Sequence, residues 1–272
     1  MKTMQPYAKS GFRKLLILAI PLGLILACQT VPLTGRSQLI LMSEQEEASL
    51  GLQSYQQVLK ESKLSQDPKA NEMVKRVGMK LAAVSGRTDY DWEFNVIEDD
   101  KIVNAFALPG GKVAVYTGLL PITRDETGLS VVLSHEIGHA IARHGAERLS
   151  TQELVQIGEI GLIVALGAKD PQTIKAIDTA YGVGTGVGVL LPFSRQHESE
   201  ADHIGLILMA KAGYDPQTAV EFWQRMLEAK KDKKAPPEFL STHPSDELRI
   251  QQIKQWLPEV SQYRQTPGSH TP

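Results

Sequence analysis

The segment His135-Glu136-Ile137-Gly138-His139 constrains this chain more than any other. Val131, Val132 and Leu133 precede it and Ala140, Ile141 and Ala142 follow, so the motif belongs to a helix with apolar flanks that a fold has to bury. Residues four apart on a helix lie about 40° apart on one face, one turn up. Two imidazoles at that spacing can chelate a single ion, with Glu136 projecting beside them toward the water such an ion binds. A helix that merely happens to hold two histidines is the competing reading, and the choice between them rests on a third ligand.

Hydrolytic zinc sites use three protein ligands and leave one position for water. The chain has one cysteine, which makes neither an internal disulfide nor a cysteine-based zinc site, so the ligands must offer nitrogen or oxygen. The metzincin pattern needs glycine at 142 and histidine at 145. The chain has Ala142 and Gly145, with His144 one residue out of register, which rejects that class. A better source is Arg195-Gln196-His197-Glu198-Ser199-Glu200-Ala201-Asp202. On a helix Glu198 and Asp202 share a face, so one can ligate while the other hydrogen-bonds a ligand imidazole. Glu200 points elsewhere and reads as solvated; His197 and His203 flank the face.

At 272 residues, 42% hydrophobic and 22% charged, the chain can bury one globular core. A net charge of −2 leaves no electrostatic footprint for nucleic acid. The N-terminus carries Lys2, Lys9, Arg13 and Lys14 with no acid, then an uncharged run from Leu15 to Ala27. That run is shorter than the roughly 20 residues a spanning helix needs, and it has the layout of a secretory signal. It ends at Cys28 and resembles the lipobox of bacterial lipoproteins, where Gln29 in place of aspartate favours the outer membrane. The expected organisation is a lipoprotein signal peptide at 1–27 and a lipid-anchored tether and entry strand at 28–42, starting with lipidated Cys28. A single domain follows at 43–262, with a flexible tail at 263–272.

Within the domain, Ser43-x-x-Glu46 is a capping box and Asp67-Pro68 a second helix start. Trp92, Phe94 and Val96 alternate with polar residues as in a strand, Val103, Ala105 and Ala107 continue the pattern, and Pro109-Gly110-Gly111 turns the chain back into Val113 and Val115. Beyond residue 124 the pattern is helical: one helix over about 125–148, another capped by Ser150-x-x-Glu153, a third closed by Gly213 and a fourth opened by Asp215-Pro216. The apolar stretches near 155–168 and 181–193 read as core helix and loop. Gly182, Gly184, Gly186 and Gly188 suggest a flap or a flexible loop over the cleft.

With these segments in view, the chain resembles the zinc metallopeptidase family that contains the HtpX heat-shock proteases, the CAAX prenyl proteases and the mitochondrial Oma1 protease. The family's helix motif is matched by His135, Glu136 and His139, its Glu-x-x-Ala-Asp motif by Glu198, Ala201 and Asp202, and its His-Pro block by His243, Pro244 and Arg249. The stretch from Asn104 through Gly111 to Leu120 is similar to the family's strand bordering the cleft. Among its branches the periplasmic lipoproteins (LoiP, the catalytic domain of BepA) look nearest.

The resemblance implies an α+β, mainly helical, zincin-like (gluzincin) fold with a small sheet. It implies one Zn²⁺ per chain held by His135, His139 and Glu198, with Asp202 behind a ligand imidazole and Glu136 as general base. His243 and Arg249 become donors to the oxyanion, although His243 could instead reach the metal in a resting state. Asn104, Ala105, Phe106 and Ala107 would bind an extended substrate. Unfolded or misfolded envelope proteins are the expected substrates, in protein quality control. A periplasmic scaffold that does not cleave is the first rival, disfavoured because holding metal needs no base at Glu136. A zinc hydrolase of small molecules or cell-wall peptides is the second.

Overall fold

The computed structural model of the chain describes residues 28–231, 239–240, 243 and 247–264; the expected signal peptide, Pro244 and the tail from 265 lie outside the described residues. Strands β1 (Cys28–Thr30) and β2 (Ser37–Leu39) pair antiparallel, with Cys28 opposite Leu39. The segment expected as tether and entry strand forms this strand pair, to which Val31, Gln38 and Ile40 supply a buried side.

Helix α1 (Glu44–Glu61) opens on the reciprocal capping box: Ser43 Oγ accepts from the Glu46 amide and the Glu46 carboxylate accepts from the Ser43 amide at 2.9 Å. Helix α2 (Pro68–Val84) starts with Asp67 accepting from the Lys69 amide at 2.9 Å and buries Val74, Val77 and Leu81 at helical spacing. A three-stranded sheet follows: β3 (Glu93–Ile97), β4 (Ala105–Leu108) and β5 (Lys112–Tyr116), in spatial order β3-β5-β4. The β4–β5 turn places Gly110 and Gly111 at φ +82° and +86°, a conformation that side chains resist. Strand β4 is left at an edge.

After the short helix α3 (Leu120–Thr123), Asp125 caps α4 (Glu126–Ile141), in which 13 of 16 residues are buried. The helix expected over 125–148 breaks at Arg143, which takes a left-handed φ of 57° while its Nε donates to buried Glu47 at 2.6 Å. Helix α5 (His144–Ala165) begins there. Ser150 is no cap, since it lies inside α5 and its Oγ donates to the Ala146 carbonyl at 2.8 Å. Helix α6 (Pro171–Thr185) runs through a π-helical stretch, Gly186–Leu190, into α7 (Leu191–Lys211). The glycine run is thus helical rather than a loop or flap, and the apolar stretches near 155–168 and 181–193 are exposed helix rather than core. Helices α8 (Thr218–Lys231) and α9 (Glu247–Val260) complete the fold.

Helix α4 is the hub, packed on α7 and touching α2, β4 and α8. Its approach to α7 is close enough to depend on glycine. A Cβ on Gly138 would lie 2.8 Å from the Ala201 carbonyl oxygen, and one on Gly205 would lie 3.1 Å from the His135 amide nitrogen. A Cβ on Gly161, by contrast, would meet nothing within 4 Å. Gly138→Ala is expected to cost about 1–3 kcal/mol through overpacking. Gly161→Ala should stabilise by up to about 1 kcal/mol through helix propensity. Denaturant unfolding of both variants beside the parent chain checks the pair.

Candidate active site

The contact between α4 and α7 sets the motif histidines against Glu198. His135 Nε2 lies 3.1 Å from His139 Nε2 and 3.4 Å from Glu198 Oε2, and His139 Nε2 lies 3.3 Å from Glu198 Oε1. His243 joins them, its Nδ1 3.1 Å from His135 Nε2 and 3.0 Å from Glu198 Oε2. Ligand atoms of these four residues all lie within 4.8 Å of one another. A tetrahedron with metal–ligand bonds of about 2.0–2.1 Å has edges of about 3.3–3.4 Å, so the spacings match a zinc cage.

Hydrogen bonds behind the imidazoles fix which nitrogen faces the cage. His135 Nδ1 meets Asp202 Oδ1 at 2.9 Å, as the shared face of Glu198 and Asp202 predicts. His139 Nδ1 meets His144 Nδ1 at 2.8 Å, and His144 Nε2 meets Glu200 Oε2 at 3.0 Å. One protonation pattern satisfies all of these: both motif histidines donate from Nδ1, His144 accepts at Nδ1 and donates from Nε2 to the carboxylate. The two Nε2 lone pairs then converge on one spot, which suits a cation.

Charge at the cage follows the same logic. Burial lowers the His135 pKa, but bonds to Asp202 and Glu198 outweigh it and raise it to about 9. Burial would raise Glu198, yet its contacts with His135, His139 and His243 hold it far below the usual carboxylate range. For Asp202 burial is likewise overcome, chiefly by Arg249 and His135, and its pKa falls. Burial keeps His139 and His144 neutral, with pKa values well below the ordinary imidazole range. Glu136 is pushed up by burial, partly offset by His243 and His135.

Arg249, expected as an oxyanion donor beside His243, faces the Glu198 and Asp202 carboxylates of α7 instead, with its Nη1 donating to Glu198 Oε2 at 3.3 Å and its main engagement on Asp202. Its Nε donates to Oδ2 at 2.6 Å, a terminal nitrogen donates to Oδ1 at 2.7 Å, and the guanidinium lies 3.5 Å from the Trp223 ring centroid. Glu200 is buried, not solvated: Arg36 Nε donates to it at 2.7 Å and Thr34 Oγ1 donates to its other oxygen. Arg36 also donates twice to Glu147, at 2.8 and 2.6 Å. His197 stacks on His144 and meets Glu147 at 2.9 Å, while His203 faces Glu259 at 3.2 Å; neither reaches the cage. Sequence reasoning missed His144, Glu147 and Arg36. Five residues past His139, His144 read only as an off-register ligand, although the chain break at Arg143 is what turns it back.

A cleft of about 230 Å³ opens onto the cluster, lined in part by Ala107, Leu108, Glu136, His139 and His243. Edge strand β4 forms one wall, carrying Ala105, Phe106 and Ala107, with Asn104 just ahead of it. The Ala107 amide hydrogen-bonds Glu136.

His144→Ala, which removes the acceptor behind His139, is expected to weaken zinc binding about 10–100-fold, read by chelator competition. The proton on His135 must leave before its nitrogen can ligate. Zinc affinity should therefore rise by up to about tenfold per pH unit from pH 6 to 8 and level off above about 9, with proton release measured by calorimetry in buffers of different ionisation enthalpy.

Comparison with known proteins agrees with this geometry. Residues 68–257 match the profile of peptidase family M48. The mitochondrial metalloendopeptidase OMA1 of Schizosaccharomyces pombe is 38% identical over 239 residues, covering 87% of this chain and 68% of that protein. The beta-barrel assembly-enhancing protease of Escherichia coli K12 is 32% identical over 228 residues, covering 82% of this chain and 46% of that protein. Human mitochondrial OMA1 is 32% identical over 245 residues, with 86% and 47% covered. The chain belongs to peptidase family M48 and is a zinc metalloendopeptidase with the α+β, zincin-like fold of that family.

Proposed function

We propose that His135, His139 and Glu198 hold the zinc, that Glu136 is the general base and acid, and that the enzyme cleaves unfolded or misassembled envelope proteins from a lipid anchor at Cys28. Bound there, zinc polarises the scissile carbonyl and makes a nucleophile available from water at neutral pH.

One observation carries the assignment of the base. Glu136 Oε1 is buried without a hydrogen-bond partner, 3.3 Å from His243 Nε2 at the edge of the cluster, and burial raises the pKa of the carboxyl. A carboxylate with an unengaged lone pair and a raised pKa can take a proton from water and return it to the leaving amine. Asp202, gripped by Arg249, keeps the His135 ring in one tautomer and orientation. Arg249 also donates to Glu198 Oε2 at 3.3 Å, so in this structure it braces both Glu198 and Asp202. His243 lines the cleft beside both Glu136 and the cluster, which supports its assignment as the donor to the oxyanion once it yields the water position.

An extended peptide added to the free edge of β4 would pair through main-chain groups, giving affinity with little sequence preference. That mode favours unfolded chains and supports a quality-control role. The basic, apolar run ending at Cys28 supports export and lipidation, and with them a location at the periplasmic face of the outer membrane. The name of one relative, an enhancer of β-barrel assembly, points the same way.

Glu136→Gln should reduce casein cleavage at least about a hundredfold while one zinc per chain remains bound. Full activity with metal retained eliminates Glu136 as the base. A parent chain that binds unfolded protein but yields no peptides establishes the scaffold instead.

A further inference from the structure

Beyond Ser150, the helical hairpin of α5 and α6, with the entry to α7, plays no part in the cage. Its composition does not suit free solution. From Thr151 to Gln196 none of the described side chains is buried. The residues from Ile160 to Ala168 and from Thr179 to Ser194 include no charge. Ile157, Ile160 and Val164 lie at helical spacing on α5 and are 63%, 63% and 72% exposed. Leu166, Val183 and Leu191 extend that surface at 62%, 64% and 56%.

The seam between the two arms uses other positions. Val155, Glu159 and Ile163 on α5, and Ile174, Ile177 and Tyr181 on α6, are the half-buried residues at helical spacing. A Cβ on Gly158 would lie 2.4 Å from the Tyr181 hydroxyl, which shows how closely the arms meet. Once the seam is made, the stripe Ile157–Ile160–Val164 is left over. Contiguous exposed apolar surface of this kind marks an interaction site.

Where the chain enters indicates what covers it. The uncharged run from Leu15 to Ala27 leads directly into Cys28, and Cys28 pairs with Leu39. Two residues beyond, the Leu41 amide donates to Ser150 Oγ at 2.9 Å, at the root of the hairpin. Leu33 and Leu41, each 41% exposed, lie in the same entry segment. Whether the leader is retained or replaced by lipid on Cys28, it brings hydrocarbon to the place where the hairpin starts.

We propose that the α5–α6 hairpin lies in the membrane interface, with the Ile157–Ile160–Val164 stripe immersed at the level of the upper acyl chains. It does not span. From Ser150 to Ala165 α5 rises only about 22 Å, against a hydrocarbon core of about 30 Å. The continuous helix Pro171–Lys211 is long and apolar enough to cross a membrane, but its uncharged run from Thr179 to Ser194 also rises only about 22 Å. Its tip, Lys169-Asp170, is charged and belongs at headgroup level. Residues 151–196 hold three basic and four acidic side chains, a net of −1, so immersion is driven by apolar area and not by anionic lipid.

This inference rests on the membrane anchoring proposed above, and the test separates the two. The full chain with Ile160→Cys, labelled with a solvatochromic dye, is reconstituted in phosphatidylcholine vesicles containing brominated lipid. Unsubstituted chain gives the background from Cys28, Lys75→Cys on the exposed face of α2 serves as control, and Val164→Cys replaces Ile160→Cys should the latter misfold. Quenching by at least half at 160, unchanged between 0.1 and 0.5 M salt and absent at 75, is the expected result. No quenching at 160 in chain that resists carbonate extraction overturns the hairpin proposal and leaves the anchor standing. Quenching at 160 in chain that carbonate removes supports the hairpin and overturns the anchor. Disulfide formation between copies at 160 without quenching assigns the stripe to a second copy and overturns the proposal.

Discussion

The close contact between α4 and α7 is the constraint on which the rest of this structure depends. Neither helix contains a complete site: α4 brings two imidazoles and the base, and α7 brings the carboxylates. They meet because Gly138 lies beneath the Ala201 carbonyl and Gly205 beneath the His135 amide, so backbone approaches backbone without intervening side chains. Catalytic geometry is set here by the omission of Cβ atoms as much as by the ligands themselves. A functional constellation on packed helices is held more tightly than one on loops, and only His243 comes from outside the two helices of the cage.

That interlock forces charge into the interior. Glu136, Glu147, Glu198, Glu200 and Asp202 are all buried, with Arg249 and the half-buried Arg36 as the guanidiniums that answer them. Leaving one such group unpaired costs about 3–5 kcal/mol, which explains the bidentate geometry at Arg249 and the twofold engagement of Arg36. The acids still outnumber these two cations. The raised pKa of His135 has the same origin in Asp202 and Glu198, which outweigh its burial, whereas burial prevails at His139. Zinc binding and the surrounding acid–base network are therefore one electrostatic arrangement.

Much of this was legible before any coordinates, because the legible parts obey local rules. The capping box at Ser43, the Asp67 start and the alternation from Trp92 all depend on neighbours within a few residues. The spacing of Glu198 and Asp202 disclosed one carboxylate in the cage and one behind it. Long-range relations were not legible. Glu200 reads as solvated on a helical wheel, since nothing in α7 announces that a β-hairpin some 160 residues earlier will deliver Arg36 to it. Ser150-x-x-Glu153 matched a cap but fell within a continuing helix, where its hydroxyl serves the carbonyl four residues back. Apolar composition near 160 reads as core helix and that near 190 as loop, because composition alone does not say which apolar surface finds a partner.

The β1–β2 hairpin joins these observations. It begins at Cys28, where the chain arrives from its leader, and within eight residues it supplies Arg36 to Glu200, whose carboxylate holds His144 against His139. On its return it gives Leu41 to the root of the α5–α6 hairpin. Cys28, the apolar hairpin and the back of the metal cage are thus tied through one small, packed element. Under the anchoring proposed above, a protease attached in this way would not sample all orientations relative to its membrane. The wall formed by β4 would then keep a defined attitude to the lipid surface, and the extended chains it met would be those emerging from or stalled at that surface.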